Sequence, residues 1–259
     1  DDGALLSPEA GGALGGVFGR EGNRLLVNGR VRPVLRPRAG MRERWRMVNA
    51  AKSRYFWLDL EGTKLSRIGG DGGRMPVAEE LERVLLSPGE RADVLVTPVD
   101  APAQERVLRW VPFDRGYGTS ELRPIEDVLA IAASADTPAS SGPVPDASRA
   151  IVPLDVKGAT PVAIKLTMEQ IGDEIRLGIN GVPFDESEPL HGAVGETQVW
   201  TVENAMPWGH PFHLHGFFFQ VLDQQMLGEA ATVPPLEWKD TVRVPVDGKL
   251  RLAVRYDAR

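Results

Sequence analysis

The sequence contains two copies of one pattern, and this repeat is what most limits the fold. The first copy runs from the pair Asn28-Gly29 to the segment Trp45-Arg46-Met47-Val48-Asn49-Ala50, and the second runs from Asn180-Gly181 to Trp200-Thr201-Val202-Glu203-Asn204-Ala205. An Asn-Gly pair between apolar runs is a strong signal for a β-hairpin. Because several landmarks recur in the same order, we predict two related β-sandwiches in tandem.

Short runs rich in leucine, β-branched or aromatic residues favour an all-β fold. They include Leu25-Leu26-Val27, Trp45-Arg46-Met47-Val48, Ala92-Asp93-Val94-Leu95-Val96 and Leu250-Arg251-Leu252-Ala253-Val254. The 28 glycines and 21 prolines supply turn residues between such runs, as in a sandwich. A helical alternative stays open at Pro76-Val77-Ala78-Glu79-Glu80-Leu81, because proline is tolerated in the first turn of a helix.

The segment from Ser134 to Arg149 divides the chain. It consists mainly of Ala, Ser, Pro, Asp and Gly, which bury little apolar surface and are typical of an interdomain linker. A chain of 259 residues can form one large domain or two of ordinary size, and the linker favours two. We predict a first domain over residues 1–134, a linker over 135–149 and a second domain over 150–259.

Composition argues against several classes of partner. The 30 basic and 36 acidic residues give a formal charge of −6, which disfavours nucleic acid because binding to its backbone needs a positive surface. We expect no membrane association, since no apolar run approaches the roughly 20 residues of a spanning helix. No targeting signal is evident at the first residues, and a processed chain would look the same. The sequence has no cysteine, so these residues offer no thiolate to a metal.

Three of the four histidines stand within one heptapeptide, His210-Pro211-Phe212-His213-Leu214-His215-Gly216. In a strand, side chains alternate, so His213 and His215 would share a face. Pro211 would hold His210 in an extended or turn conformation and give it another direction. Imidazoles suit Cu(II), Zn(II) or Ni(II), whereas unpaired buried polar groups are costly. We therefore predict that His210, His213 and His215 are metal ligands, arranged so that one segment could supply ligands to two metal sites.

Metal chemistry is predicted to belong to the second copy alone. Counted back from Gly62, the first copy has Asp59 and Glu61 where the second has His213 and His215. A zinc hydrolase built on those two histidines is a weaker alternative, because catalytic zinc needs a third protein ligand. The fourth histidine, His191, is predicted to be a surface loop residue.

The heptapeptide resembles the His-Pro-x-His-Leu-His-Gly motif of multicopper oxidases, and the resemblance extends over nearly the whole chain. The first half resembles the middle domain of that family, and the second half resembles its C-terminal domain. The phrases that carry this are Val27-Asn28-Gly29, Arg46-Met47-Val48-Asn49-Ala50, Asp71-Gly72-Gly73, Ser87-Pro88-Gly89-Glu90-Arg91-Ala92-Asp93-Val94, Asn180-Gly181 and Trp238-Lys239-Asp240-Thr241-Val242. The resemblance implies two cupredoxin-like Greek-key β-sandwiches.

By this resemblance, His210 would ligate the type 1 copper, His213 the type 2 copper and His215 a type 3 copper. It implies copper as cofactor, dioxygen and a small reducing substrate as partners, and a periplasmic or secreted location. The implied reaction is one-electron oxidation of phenols, aromatic amines or metal ions, coupled to reduction of dioxygen to water. Asp240 is a candidate for orienting an imidazole, with an exposed strand residue as the alternative. Met206 and Met226 are expected to be core or loop residues.

The family pattern also includes His-x-His segments and a His-Cys-His segment that are absent from these 259 residues. A blue copper site needs thiolate, so we expect the residues alone to be inactive as an oxidase. Three explanations for the missing ligands are open. We favour the first, that these residues are part of a longer oxidase. The others are that they are an expressed fragment, or a copper-free cupredoxin scaffold for protein interaction. Sheet edges where further strands belong predict aggregation or a homo-oligomer.

Overall fold

The computed structural model describes residues 19, 21–96, 105–116, 122–134 and 150–257. It is all-β in these ranges, as predicted, apart from short 3-10 turns such as Phe184–Glu186. Within the same ranges, no helix has the length and apolar character needed to cross a bilayer. The predicted linker, 135–149, lies outside the described residues.

Two sheets face each other in the first half. Its strands are β1 (Val34–Leu35), β2 (Glu43–Val48), β3 (Phe56–Leu60), β4 (Leu65–Gly70), β5 (Gly73–Leu81), β6 (Arg83–Leu86), β7 (Arg91–Val96), β8 (Arg106–Val111) and β9 (Glu126–Ile131). One sheet has the order β1-β9-β8-β3-β6 and the other β2-β7-β4-β5. Leu60, Leu65, Val94 and Trp110 are almost fully buried between them. Each such side chain contributes about 1.5–3 kcal/mol through removal from water.

The second half repeats the arrangement with a separate core. Its strands are β10 (Thr160–Ile171), β11 (Glu174–Ile179), β12 (Thr197–Asn204), β13 (His210–His213), β14 (Phe219–Gln225), β15 (Thr241–Val244) and β16 (Lys249–Arg255). A sheet of order β11-β10-β12-β16-β14 packs on the pair β13-β15. Val202, Phe219, Leu250 and Leu252 have no exposed surface and fill the space between.

Both Asn-Gly pairs form the predicted tight turns. Asn28 and Gly29 have φ of 50° and 76°, and Asn180 and Gly181 have φ of 56° and 82°. Two successive residues with positive φ define a type I′ hairpin turn, whose twist matches that of the flanking strands. Isolated bridges close the turns on either side, between Val27 and Arg30 and between Ile179 and Val182.

The two Asn-Ala pairs also play the same structural role. The Asn49 amide donates to the carbonyl oxygens of Arg54 and Leu86, and its Oδ1 accepts from the Ala51 amide. Asn204 repeats this with the carbonyls of Trp208 and Pro245 and the amide of Met206. Both asparagine side chains are buried. They form hydrogen bonds with backbone groups that have no partner in the sheet where β2 and β12 end. The sequence repeat is therefore a structural repeat.

One open alternative and one local expectation are wrong. The segment 76–81 is not helical but forms most of β5, where Pro76 is tolerated because β5 is the edge of its sheet. Leu25-Leu26-Val27 is not a strand: Val27 makes an isolated bridge, and Leu25 is buried in the first core.

Candidate metal centre

The histidine segment is held in place by a core side chain in its middle. β13 pairs antiparallel with β15, so that His210 lies opposite Val244 and His213 opposite Thr241. Phe212 is buried and packs edge-on against Trp200, with ring centroids 6.3 Å apart. Because side chains alternate along a strand, Phe212 in the core directs its neighbour His213 outward.

His213 and His215 form a pair of imidazoles at the surface. Strand β13 ends at His213, and the chain turns at Gly216 with φ of 83°. The two rings are nevertheless adjacent, with centroids 4.8 Å apart and planes inclined by 59°. Both residues are exposed. The structure thus brings together the two side chains that the sequence predicted to share a face.

Hydrogen bonds fix the orientation of the His213 ring. Its Nδ1 lies 2.9 Å from the carbonyl oxygen of Asp240 and 3.0 Å from the hydroxyl of Thr241. A carbonyl oxygen can only accept, so Nδ1 carries the proton of the neutral ring. Nε2 then keeps its lone pair, as a metal-binding imidazole requires.

His210 faces another direction. Alternation places it on the side of Phe212, where it is half-buried, and its Nδ1 donates to the carbonyl oxygen of Pro211 at 2.8 Å. Burial lowers the pKa of His210 below its ordinary value, against the opposing effect of that hydrogen bond. The neutral ring retains one nitrogen able to bind a metal. The separation of His210 from His213 follows from strand alternation along β13.

The donor set fits copper in chemistry but is partial. Imidazole suits copper, and His213 is already held in the tautomer that can bind it. Among the described residues, no group of three or more His, Cys, Asp or Glu side chains converges on one point. The three histidines therefore fit as contributors to sites that need further ligands.

The strand register shows which positions of the first half correspond to the histidine segment. On β3, Phe56 lies opposite Leu86 and Asp59 opposite Arg83, which is the counterpart of His210 and His213 on β13. Asp59 faces a cation instead, with Arg83 Nε 3.8 Å from its carboxylate. The alignment predicted from the sequence is supported by this shared pairing.

A cluster of buried charges joins the two halves behind His213. The Asp71 carboxylate is fully buried, and Lys239 Nζ lies 3.3 Å from its Oδ2 and 3.1 Å from Glu90 Oε1. Burial lowers the pKa of Lys239, but the charges of Glu90, Glu237 and Asp71 outweigh it and raise the pKa above its ordinary value. Lys239 therefore stays protonated although it is almost inaccessible to water.

Arg91 is bound to Asp240 in the same cluster. Its Nη1 and Nη2 each donate to one carboxylate oxygen of Asp240 at 2.6 Å. Burial raises the pKa of Asp240, but hydrogen bonds from Arg91 and Thr241 and the Arg91 charge hold it below its ordinary value. Asp240 is half-buried in the bend before β15, so the alternative of an exposed strand residue is wrong.

Sequence reasoning missed Asp71, Glu90, Arg91 and Lys239 as neighbours of the site. The available signal was that all four lie in the sequence segments on which the resemblance to multicopper oxidases rests. Of the other candidates, His191 is exposed in a loop as predicted. Met206 is buried in the second core, and Met226 is partly exposed in a loop.

Comparison with known proteins identifies the family. Two models described as multicopper oxidase match residues 4–114 and 155–259. The chain belongs to the multicopper oxidase family. Its two sandwiches are accordingly two cupredoxin domains of that family, as the sequence predicted.

Individual relatives cover nearly all of the chain. A laccase of Bacillus subtilis is 28% identical over 260 residues, which is 91% of this chain and 49% of the laccase. The cell division protein FtsP of Photorhabdus laumondii is 29% identical over 238 residues, 90% of this chain and 48% of FtsP. A laccase structure from Pediococcus acidilactici superimposes with a TM-score of 0.78 at 27% identity, covering 97% of this chain and 51% of the laccase. The chain spans about half the length of these relatives.

Proposed function

We propose that this chain supplies the second and third cupredoxin domains of a copper-dependent oxidase, with His210, His213 and His215 as copper ligands. The observation that carries the proposal is the pair His213–His215, whose rings are 4.8 Å apart. His213 is held by a carbonyl group in the tautomer that exposes a metal-binding nitrogen. A scaffold without metal has no physical need for this arrangement.

The proposed reaction is the one-electron oxidation of phenols, aromatic amines or metal ions, coupled to the reduction of dioxygen to water. Bound copper would supply the one-electron redox chemistry. The residues of this chain orient the imidazoles: Asp240 and Thr241 fix His213, and Phe212 anchors the strand in the core. One short segment joins the half-buried His210 to the exposed pair His213 and His215. The metal sites proposed at these residues are therefore connected through covalent bonds.

The domain limits, the assembly and the location belong to the same proposal. We assign residues 1–134 and 150–259 to the two domains and 135–149 to the linker; the separate hydrophobic cores of the two halves support this division. A periplasmic or secreted location and self-association through open sheet edges remain predictions. Size-exclusion chromatography with light scattering tests the self-association.

A copper-free scaffold acting in protein interaction is the second candidate. It is favoured by the similarity to FtsP, whose name refers to cell division, and by the buried charge cluster, which joins the halves without any metal. The two candidates differ in one measurable property, the binding of copper to the histidine segment.

Copper(II) binding by the wild-type protein is expected to depend on His213 and His215. Substituting either residue by glutamine removes an imidazole donor and should weaken copper binding by roughly tenfold or more, since even outer-shell losses cost that much. The measurement is a copper(II) titration followed by electron paramagnetic resonance, in which nitrogen hyperfine structure reports bound imidazole. We also expect no blue absorption band from these residues alone, because they contain no cysteine.

His191→Gln is the matched control, because His191 is an exposed loop histidine outside the heptapeptide. Equal copper affinity in wild type, His213→Gln and His215→Gln would contradict the proposed metal role and favour the scaffold. An intense blue band without added segments would contradict the expectation that these residues are inactive alone.

A further inference from the structure

We propose that Arg91, in the first sandwich, is a positioning residue for His213 in the second. The inference rests on the proposed function, because it concerns the same imidazole. It adds a dependence of that imidazole on the way the two halves dock. Three contacts carry it, and each consists of direct hydrogen bonds.

The first contact crosses between the halves. Arg91 belongs to β7, and its guanidinium donates two hydrogen bonds of 2.6 Å to the Asp240 carboxylate. A planar guanidinium that bonds both oxygens fixes the plane and direction of a carboxylate, which a single point charge does not. Asp240 is thereby held in one orientation.

The second contact links Asp240 to the imidazole. The Asp240 carbonyl oxygen accepts from His213 Nδ1 at 2.9 Å and from the Leu214 amide at 2.9 Å. The Thr241 hydroxyl, 3.0 Å from His213 Nδ1, donates to Asp240 Oδ1 at 2.8 Å. The carboxylate that Arg91 holds is therefore tied to both groups that contact the ring.

The third contact fixes the position of the Arg91 backbone. Asp71 Oδ1 accepts from the Arg91 backbone amide at 2.9 Å, and Asp71 Oδ2 accepts from the Thr241 amide at 3.3 Å. The Asp71 side chain has no exposed surface. One buried carboxylate thus aligns the start of β7 in one half with the start of β15 in the other. The Asp71 carbonyl oxygen also accepts from Arg91 Nη2 at 3.3 Å, so the guanidinium is held on the side of the first half as well.

The consequence is that His213 is correctly oriented when the halves are docked. The second sandwich supplies the imidazole and its immediate partners, but the bidentate clamp on those partners comes from the first. The copper-free first sandwich then has a role in the metal centre beyond that of a spacer.

The test compares Arg91→Met with Arg67→Met. Arg67 also crosses between the halves with two bonds, to Glu237 at 3.0 and 3.1 Å, and its other partner is Glu79. Both substitutions remove a bidentate ion pair from the same junction, but only Arg91 holds Asp240. A general loosening of the junction should affect His213 equally in both variants, whereas a positioning role separates them.

The first readout needs no metal. With 15N-labelled histidine at pH 8, where ordinary imidazole is neutral, nitrogen shifts in wild type and Arg67→Met should show His213 protonated at Nδ1. In Arg91→Met, both ring nitrogens should move towards values averaged between the tautomers. The His213→Gln variant assigns the signal. Unchanged His213 shifts in folded Arg91→Met would overturn the inference.

The second readout is copper(II) affinity by the same titration as above. We expect a loss of roughly tenfold or more in Arg91→Met, the effect of losing an outer-shell partner, and a change within about twofold in Arg67→Met, whose contacts are independent of the ring. If wild type binds no copper through His213, the proposed function fails while the nitrogen shifts still decide the role of Arg91. Should Arg91→Met not fold, Arg91→Lys carries the same test, because it keeps the charge but loses the fork.

Discussion

Lys239→Met is expected to lower the free energy of unfolding by about 3–5 kcal/mol, the cost of breaking a buried ion pair by removing one partner. Lys239 is almost fully buried, and its Nζ lies 3.3 Å from Asp71, 3.1 Å from Glu90 and 3.9 Å from Glu237. Without the ammonium, carboxylates that are themselves largely removed from water would face one another. Urea denaturation followed by tryptophan fluorescence at pH 7 measures the loss.

The effect of Lys239 should not vary with pH near neutrality. Burial lowers its pKa in the folded protein, but the combined attraction of three carboxylates outweighs burial and raises the pKa above its ordinary value. Such a group contributes fully below its unfolded pKa of about 10.4 and loses its contribution only as the pH rises through the folded value. The difference between wild type and variant should therefore be constant from about pH 6 to 9 and decrease in strong alkali.

Lys64→Met is the matched control for Lys239→Met. Lys64 pairs with Glu82 at 3.1 Å, but their side chains are 64% and 77% exposed. An exposed pair of this kind contributes about 0–1 kcal/mol. Similar losses in the two variants would show that burial of the cluster adds nothing, contrary to the prediction.

The sequence predicted those features that depend on local chemistry. Asn-Gly pairs favour positive φ at two successive residues, so both hairpin turns were predictable from a few letters each. The pairing of His213 with His215 followed from the period of a strand, although the strand ends at His213. Similarity between the two copies added the alignment of Asp59 with His213, which the strand register supports.

Features that depend on how the halves pack were not predictable in this way. Arg91 and Asp240 are 149 positions apart, and Asp71 and Thr241 are 170 apart. No periodicity relates such residues, and each taken alone is an ordinary charged or polar side chain. The same reason explains why a helix at Pro76 was left open as an alternative: the place of Pro76 at a sheet edge is decided by strand order, which local sequence does not encode.

Gly72→Ala is expected to force the two halves apart where they meet. Gly72 lies in the turn between β4 and β5, and its amide donates to the Trp238 carbonyl oxygen at 2.8 Å. A β-carbon at Gly72 would lie 2.6 Å from that oxygen and would overlap the Trp238 β-carbon. Neither atom belongs to the flexible end of a side chain, so the backbone must move. We expect a loss of about 1–3 kcal/mol in unfolding free energy, as for other overpacked sites.

The same substitution should also weaken copper binding by His213 and His215. Trp238 directly precedes Lys239, Asp240 and Thr241, so a displaced Trp238 shifts the groups that contact His213. Copper(II) affinity should fall together with stability in Gly72→Ala, by roughly tenfold. In Gly22→Ala, the matched control, the nearest atom to the new β-carbon is 3.9 Å away, and neither quantity should change. If Gly72→Ala loses stability but binds copper as wild type does, the orientation of His213 does not depend on the contacts between the halves. It must then be set within the second sandwich alone.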